Sequence, residues 1–112
     1  MNHTHPLPDG VIELIAQRFQ ALGEPMRLRL LDRLRQGEAN VVELAELLQT
    51  TPQNASKHLG VLHRLGIVDR RKDGNFVYYS IADPAVFSLC EIVCGSIESE
   101  LEQQRTAILA AR

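Results

Sequence analysis

Residues 50–66 have the sequence TTPQNASKHLGVLHRLG, which predicts a helix from Thr51 to Gly66. Thr51 can cap the first turn, and Pro52 suits the first helical position, where a backbone N–H is not needed. Leucines then recur at helical spacing and predict a buried face, whereas the first two turns are polar. We expect five polar side chains to point outward: Gln53, Asn54, Ser56, Lys57 and His58. These residue types bind base edges and phosphates, so the segment has the pattern of a DNA recognition helix.

The residues before this segment predict three further helices. Apolar residues recur at helical spacing over about 9–22 and again from Pro25, which can open the second helix. Asn40 followed by Glu43 resembles a capping box for a third, short helix. A three-residue turn at 49–51 then joins the third helix to the recognition helix. Two short helices joined in this way form a helix-turn-helix, in which the first helix braces the second.

The residues after Gly66 predict a β-hairpin. Ile67, Val68 and the stretch 76–81 are mostly β-branched or aromatic, and they flank an Asp73-Gly74 turn. Three basic residues lie near the predicted tip: Arg70, Arg71 and Lys72. Directly after a recognition helix, such a hairpin would be a wing that contacts the minor groove or the phosphates. A plain surface hairpin is the alternative.

A long helix is predicted at the end of the chain. Asp83 can cap it, Pro84 can take its first position, and it runs toward Ala111. Its apolar stripe is wider than one small domain needs, and the helix at 9–22 has a similar excess, which suggests pairing with a second copy. A two-fold dimer would place its recognition helices about one DNA turn apart, so we expect an inverted-repeat operator. The predicted fold is mainly α with a small β-hairpin, a winged helix-turn-helix that is dimeric through its terminal helices.

Length and composition limit the classes of protein to consider. The 112 residues, 45% of them apolar, suffice for one modest core. We expect a flexible arm over 1–8 and one DNA-binding and dimerisation domain over 9–112. No apolar run could span a bilayer and the first ten residues lack the features of a signal peptide, so we expect a cytoplasmic protein without a membrane partner. No nucleophile–base pair, glycine-rich phosphate loop or catalytic metal motif indicates an enzyme.

The charge is unevenly distributed along the chain. The net charge is −2, which by itself does not favour a nucleic-acid partner. Between Pro52 and Tyr79, however, five basic side chains outnumber two acidic ones, so that segment carries +3 and the remainder −5. A basic patch on an acidic body is expected of a protein that docks one face on double-stranded DNA.

Three segments together resemble the ArsR/SmtB family of winged helix-turn-helix repressors over nearly the full chain. They are ALGEPMRLRLLDRL at 21–34, SKHLGVLHRLGIV at 56–68 and RRKDGNFVYYSI at 70–81. The resemblance implies a dimeric repressor that releases DNA when a metal ion, a metalloid or a thiol oxidant binds. By position, it also implies a reading surface made of the five polar residues listed above. On the wing it implies DNA contacts from Arg71, Lys72 and Asn75.

The sensing positions of the resemblance are not all matched. There is no cysteine at 41–44, where a pair often lies in the family, and the family's zinc motif begins with Asp83 but continues with Ala85, Ser96 and Ser99. Cys90 and Cys94 remain, four residues apart on the last helix, where one face would carry both thiols.

Two interpretations of Cys90 and Cys94 stay open. At this spacing an intrahelical disulfide is disfavoured, whereas two thiolates could converge on one thiophilic ion. The candidates are As(III), Sb(III), Cd, Pb or Cu(I), with third ligands from a partner chain or from His3 and His5, and a disulfide or polysulfide between two copies is another candidate. Alternatively, both cysteines only pack in the apolar stripe.

The primary hypothesis is therefore a homodimeric repressor whose affinity for an inverted-repeat operator falls when a ligand or oxidant engages the last-helix cysteines. One alternative is a winged-helix repressor without such a sensor. Another is a dimeric protein-interaction module that does not bind DNA.

Overall fold

The computed structural model describes residues 5–112, which form two compact units, one ending at Ala82 and one spanning Asp83–Arg112. The first unit contains, in chain order, α1 (Asp9–Leu22), α2 (Pro25–Leu34), β1 (Ala39–Asn40), α3 (Val41–Leu47), α4 (Pro52–Arg64), β2 (Val68–Asp73) and β3 (Phe76–Ile81). The second unit is the helix α5 (Ala85–Ala110). The predicted helix-turn-helix is α3–α4 and the predicted wing is β2–β3, so the winged helix-turn-helix fold is confirmed.

Side chains cap the three helices that follow one another from α2 to α4. The Glu24 carboxylate accepts a hydrogen bond from the Arg27 backbone N–H at 3.0 Å. The Asn40 Oδ1 accepts from the Glu43 N–H at 2.8 Å, and the Thr51 Oγ1 accepts from the Asn54 N–H at 3.0 Å. The caps at positions 40 and 51 confirm the sequence prediction, because these polar side chains satisfy N–H groups that have no partner within a helix.

The start of α5 differs by one residue from the prediction. The helix begins at Ala85 and Pro84 takes the N-cap position, although Asp83 was expected there. The Asp83 Oδ1 still accepts a hydrogen bond from the Ala85 N–H at 3.0 Å. The Asp83 carboxylate therefore still accepts a hydrogen bond from the first residue of the helix, although it lies one residue before the N-cap. Pro84 itself has no N–H to donate.

The turn between α3 and α4 contains no glycine. Gln49 has a φ of 55°, and the Thr50 N–H donates to the Ala45 carbonyl at 2.9 Å. This left-handed residue just after a helix is the usual way to satisfy the last free carbonyls. The Asn54 Nδ2 also donates to the Thr50 Oγ1 at 2.9 Å, which fixes the turn to the first turn of α4.

The wing belongs to a three-stranded antiparallel sheet with the order β1-β3-β2. The hairpin register pairs Val68 with Ile81 and Asp73 with Phe76, around a turn in which Gly74 has a φ of 61°. The two-residue strand β1 pairs with β3 and was not predicted. It has no periodicity that the sequence could reveal, because only the distant partner strand makes it a strand.

The core of the first unit is a cluster of aliphatic side chains contributed by α2, α3, α4 and β2. The largest fully buried members are Leu30, Leu34, Leu44, Leu59, Leu62 and Val68. The recognition helix supplies two of these leucines, so its inner face is fixed by core packing while its outer face stays free.

Replacing Asn40 with alanine is expected to lower the free energy of unfolding by about 0.5–2 kcal/mol. The buried Asn40 caps α3 through Oδ1, and its Nδ2 donates to the Glu43 carboxylate at 2.6 Å. Urea unfolding followed by circular dichroism measures the loss. Asn40→Ser is the matched control, because the hydroxyl keeps a cap acceptor and should recover part of the stability. Equal losses in both variants would contradict the capping role.

Two helices, one in each unit, carry exposed apolar side chains. On α1 the exposed residues are Val11, Ile12, Leu14, Ile15 and Phe19. On α5 they are Ile92, Val93, Ile97, Leu101, Ile108 and Leu109. Among the described residues, no helix is both long and apolar enough to cross a membrane.

Candidate nucleic-acid interface

The outer face of α4 carries most of the side chains that the sequence predicted to contact DNA. Gln53, Ser56 and Lys57 are exposed. Asn54 is half-buried, and its Nδ2 is already bound to the Thr50 hydroxyl. The carboxamide oxygen of Asn54 and the second N–H of its Nδ2 are therefore left for hydrogen bonds to a DNA base.

His58 does not point outward, so that prediction is wrong. Its side chain is only 10% exposed, and its Nδ1 lies 3.2 Å from the Arg27 Nη1 and 3.7 Å from the Glu24 Oε2. Helical spacing explains the burial, because the buried residues of α4 are Ala55, His58, Leu59 and Leu62. These positions follow the i, i+3, i+4, i+7 pattern of a core-facing stripe. The sequence thus contained the signal, and the polar character of histidine obscured it.

The three basic residues of the wing lie on two different faces of the hairpin. The register pairs Arg70 with Tyr79, Arg71 with Tyr78 and Lys72 with Val77. Because successive residues of a strand point to opposite faces, Arg71 is separated from Arg70 and Lys72. All three are exposed, but they do not form one cluster at the tip.

Arg71 is held by partners on its own face of the wing. Its Nε and Nη2 donate to the two carboxylate oxygens of Glu38 at 3.1 Å and 2.6 Å, and its Nη1 donates to Asp73 at 3.4 Å. Its guanidinium carbon lies 4.5 Å from the centre of the Tyr78 ring. The hydrogen bond from Arg71 holds the pKa of the Glu38 carboxyl below its usual value. The sequence prediction missed this arrangement, because Glu38 and Arg71 are 33 residues apart.

A shared groove brings together residues of α4 and the wing. Its volume is about 320 Å³. Gln53 and Ser56 line one side and Asn75 the other, so three predicted DNA-contact residues face the same space. The remaining lining is Asn40, Val41, Val42, Pro52, Phe76 and Val77. The exposed Val42 and Phe76 are additional apolar contacts that the sequence prediction did not include.

Comparison with known proteins identifies the family. A helix-turn-helix domain model matches residues 22–71. The HTH-type transcriptional regulator Rv0081 of Mycobacterium tuberculosis is 36% identical over 102 residues, which cover 90% of this chain and 89% of Rv0081. The crystal structure of Rv0081 superposes with a TM-score of 0.76 at 33% identity, covering 87% of this chain and 98% of that one. The chain belongs to the ArsR/SmtB family.

Two further structures show the range of this ArsR/SmtB relationship. The homodimeric winged helix-turn-helix domain of Mb0332 from Mycobacterium bovis has a TM-score of 0.74 at 30% identity, covering 89% of this chain and 95% of its own. The antimony-specific repressor AntR has a TM-score of 0.73 at 29% identity, covering 91% and 92%. The family consists of DNA-binding transcriptional regulators rather than enzymes, and this chain is one of them.

The candidate sensing residues of this ArsR/SmtB chain lie on α5. Cys90 is half-buried, Cys94 is exposed, and both are free thiols. The Cys94 Sγ lies 3.5 Å from a carboxylate oxygen of Glu98. This hydrogen bond and the negative charge of Glu98 raise the pKa of the Cys94 thiol. A raised pKa lowers the thiolate fraction at neutral pH and so slows direct attack by an oxidant.

Within the part of one copy that the structure describes, the donor set for a soft ion is incomplete. Across residues 5–112, no three histidine, cysteine or acidic side chains are grouped closely enough to hold a metal. Two thiols at helical spacing can supply two soft ligands. Of the suggested third ligands, His5 is exposed and His3 lies outside the described residues.

Proposed function

We propose that this ArsR/SmtB protein is a homodimeric transcriptional repressor that binds an inverted-repeat operator in the cytoplasm. The observation that carries the proposal is the groove between α4 and the wing, where Gln53, Ser56 and Asn75 face a common space. In this interface the recognition helix enters the major groove and Lys57, Arg70, Arg71 and Lys72 contact flanking phosphates. Residues 9–112 form the DNA-binding and dimerisation domain, and the predicted arm at 1–8 lies partly outside the described residues.

The exposed apolar residues of α1 and α5 support the dimer. Fifteen large apolar side chains of the described chain are exposed, and eleven of them lie on these two helices. Leaving such apolar surface in water is unfavourable. A two-fold dimer would bury it, because the same helices of both copies can form one self-complementary interface. The relative Mb0332 is a homodimer of the same fold.

We further propose that a thiophilic ion or a thiol oxidant at Cys90 and Cys94 releases the operator. Of the two inducers, the thiophilic ion is the better supported, because two thiols one helical turn apart can supply two soft ligands to one ion. AntR, a relative over 91% of this chain, is specific for antimony. The missing third ligand is expected from the second copy of the chain, since one copy supplies two thiols.

The test of DNA binding is a fluorescence titration of an inverted-repeat fragment from the protein's own promoter at several salt concentrations. Tight binding that weakens with salt supports the repressor. Absence of binding at low salt would reject it and favour the protein-interaction module. A scrambled fragment of equal length separates specific from non-specific binding.

Replacing Lys57 with alanine is expected to weaken operator binding and reduce its salt dependence. Each phosphate contact contributes about 0.9 to the slope of log affinity against log salt, so a dimer should lose about 1.8. Arg29→Ala is the matched control, because Arg29 is an exposed cation on α2 that lies outside the proposed interface. An unchanged slope for Lys57→Ala would remove this side chain from the phosphate contacts.

A further inference from the structure

The inner face of the recognition helix carries a polar contact that DNA binding does not explain. The His58 imidazole is buried in the α4 stripe between Ala55 and Leu62. Its Nδ1 lies 3.2 Å from the Arg27 Nη1 and 3.7 Å from the Glu24 Oε2. A buried polar group has to be paired, so this contact fixes where the middle of α4 can lie.

Arg27 links three helices through one side chain. Its Nε donates to the Ala21 carbonyl in the last turn of α1 at 2.6 Å, and its Nη1 reaches His58 on α4. Its own backbone N–H donates to Glu24, the cap of α2. A guanidinium is planar and presents its donors in a fixed fork, so it holds these partners at set angles. The position of the recognition helix is thereby tied to the junction of α1 and α2.

The contact between Arg27 and His58 exists in only one protonation state of the imidazole. A guanidinium can donate hydrogen bonds but cannot accept them. The His58 Nδ1 must therefore be the acceptor, which requires a neutral ring with its proton on Nε2. A protonated ring would place a second cation beside Arg27 and would turn Nδ1 toward the Glu24 carboxylate 3.7 Å away.

Among residues 5–112, two charged side chains are seen to pair with His58. Arg27 and Glu24 contact it from α2 and its cap. Over residues 5–112, no charged side chain of α3 or β2 forms a hydrogen bond or ion pair with the imidazole. The main local consequence of adding a proton to His58 is thus that its Nδ1 changes partner, from Arg27 to Glu24.

We propose that Arg27 and His58 are a positioning pair that orients the recognition helix for DNA, and that the pair holds this orientation only while His58 is neutral. The inference rests on the proposed operator binding and adds a dependence on proton concentration to it. Neither residue contacts DNA in this proposal. Both act through α4, so their loss changes the affinity without removing a phosphate contact.

Operator titrations of the full-length protein at about pH 7.5 and about pH 5.5, at constant ionic strength, test the pair. The wild-type affinity should fall about tenfold at the lower pH, the size expected for losing one hydrogen bond to a charged group. His58→Asn keeps an acceptor that does not titrate, so its affinity should be nearly independent of pH. His58→Leu should bind about tenfold more weakly at both pH values, with an unchanged salt slope.

His63→Gln is the matched control, because His63 is exposed on the same helix and should not alter the pH response. A wild-type affinity that rises or stays constant on acidification would overturn the proposal, as would a His58→Asn variant with the wild-type pH response. Thermal unfolding of each variant at both pH values identifies losses of affinity that come from unfolding.

A measurement without DNA separates this inference from the proposed function. Nitrogen-15 NMR of the free protein at about pH 7.5 should show the His58 ring with its proton on Nε2 and an unprotonated, hydrogen-bonded Nδ1. A proton on Nδ1 would overturn the pair even if the operator is bound. The expected tautomer without any operator binding would instead reject the repressor and leave only the contact itself.

Discussion

Replacing Leu59 with alanine is expected to lower the free energy of unfolding by about 2–5 kcal/mol, enough to unfold part of the population under mild conditions. The Leu59 side chain has no exposed surface and belongs to the central cluster on the inner face of α4. Truncation removes apolar contacts and leaves a cavity that neighbouring helices and strands can fill only partly. Urea unfolding, followed by circular dichroism, measures the change.

Leu47→Ala is the matched control for this prediction. Leu47 is the same residue type in the neighbouring helix α3, but the residue is 58% exposed. Its replacement should cost less than about 1 kcal/mol, because little apolar surface returns to water. Similar losses for Leu47→Ala and Leu59→Ala would contradict the assignment of the core.

Replacing both Cys90 and Cys94 with serine is expected to leave operator binding intact and to abolish its response to thiophilic agents. In the wild-type protein, a bound agent should weaken operator affinity by about 5- to 150-fold, the usual range for two coupled sites. Serine keeps the size of the side chain but lacks the soft sulfur ligand. The measurement is the operator titration repeated with arsenite, antimonite, cadmium, lead, copper(I) and a disulfide oxidant.

Ser96→Ala serves as the control, since it changes an exposed hydroxyl on α5 without touching a thiol. A double serine variant that still responds would show that the cysteines do not sense. If none of the agents changes the operator affinity of the wild-type protein, Cys90 and Cys94 only pack in the apolar stripe, and the protein is a repressor without a thiol sensor.

Local sequence signals predicted most of the fold. Thr51 and Pro52 mark the start of α4, and Asp73-Gly74 marks the wing turn, where Gly74 takes the positive φ that the turn requires. Each of these signals acts between residues close together in the chain. They depend on capping, turn geometry and periodicity, which do not need the tertiary structure.

The candidate site was less predictable, because several contacts join residues that are far apart in sequence. Glu38 reaches Arg71 across 33 residues, and Arg27 reaches His58 across 31. A single sequence carries no signal for such pairs. Two of the differences could have been predicted from periodicity alone: the position of His58 in the buried stripe of α4 and the separation of Arg71 from its basic neighbours.

The clamp of Glu38, Asp73 and Tyr78 around Arg71 also bears on the entropy of complex formation. An arginine side chain without partners on a hairpin samples many rotamers. A ligand that binds it must hold it in one of them, which costs conformational entropy. Arg71 is already restricted before any partner arrives, so ordering this side chain adds little to the entropic cost of association. Calorimetry of operator binding should accordingly show a less unfavourable entropy for the wild-type wing than for a Glu38→Ala variant, which removes both hydrogen bonds to Glu38.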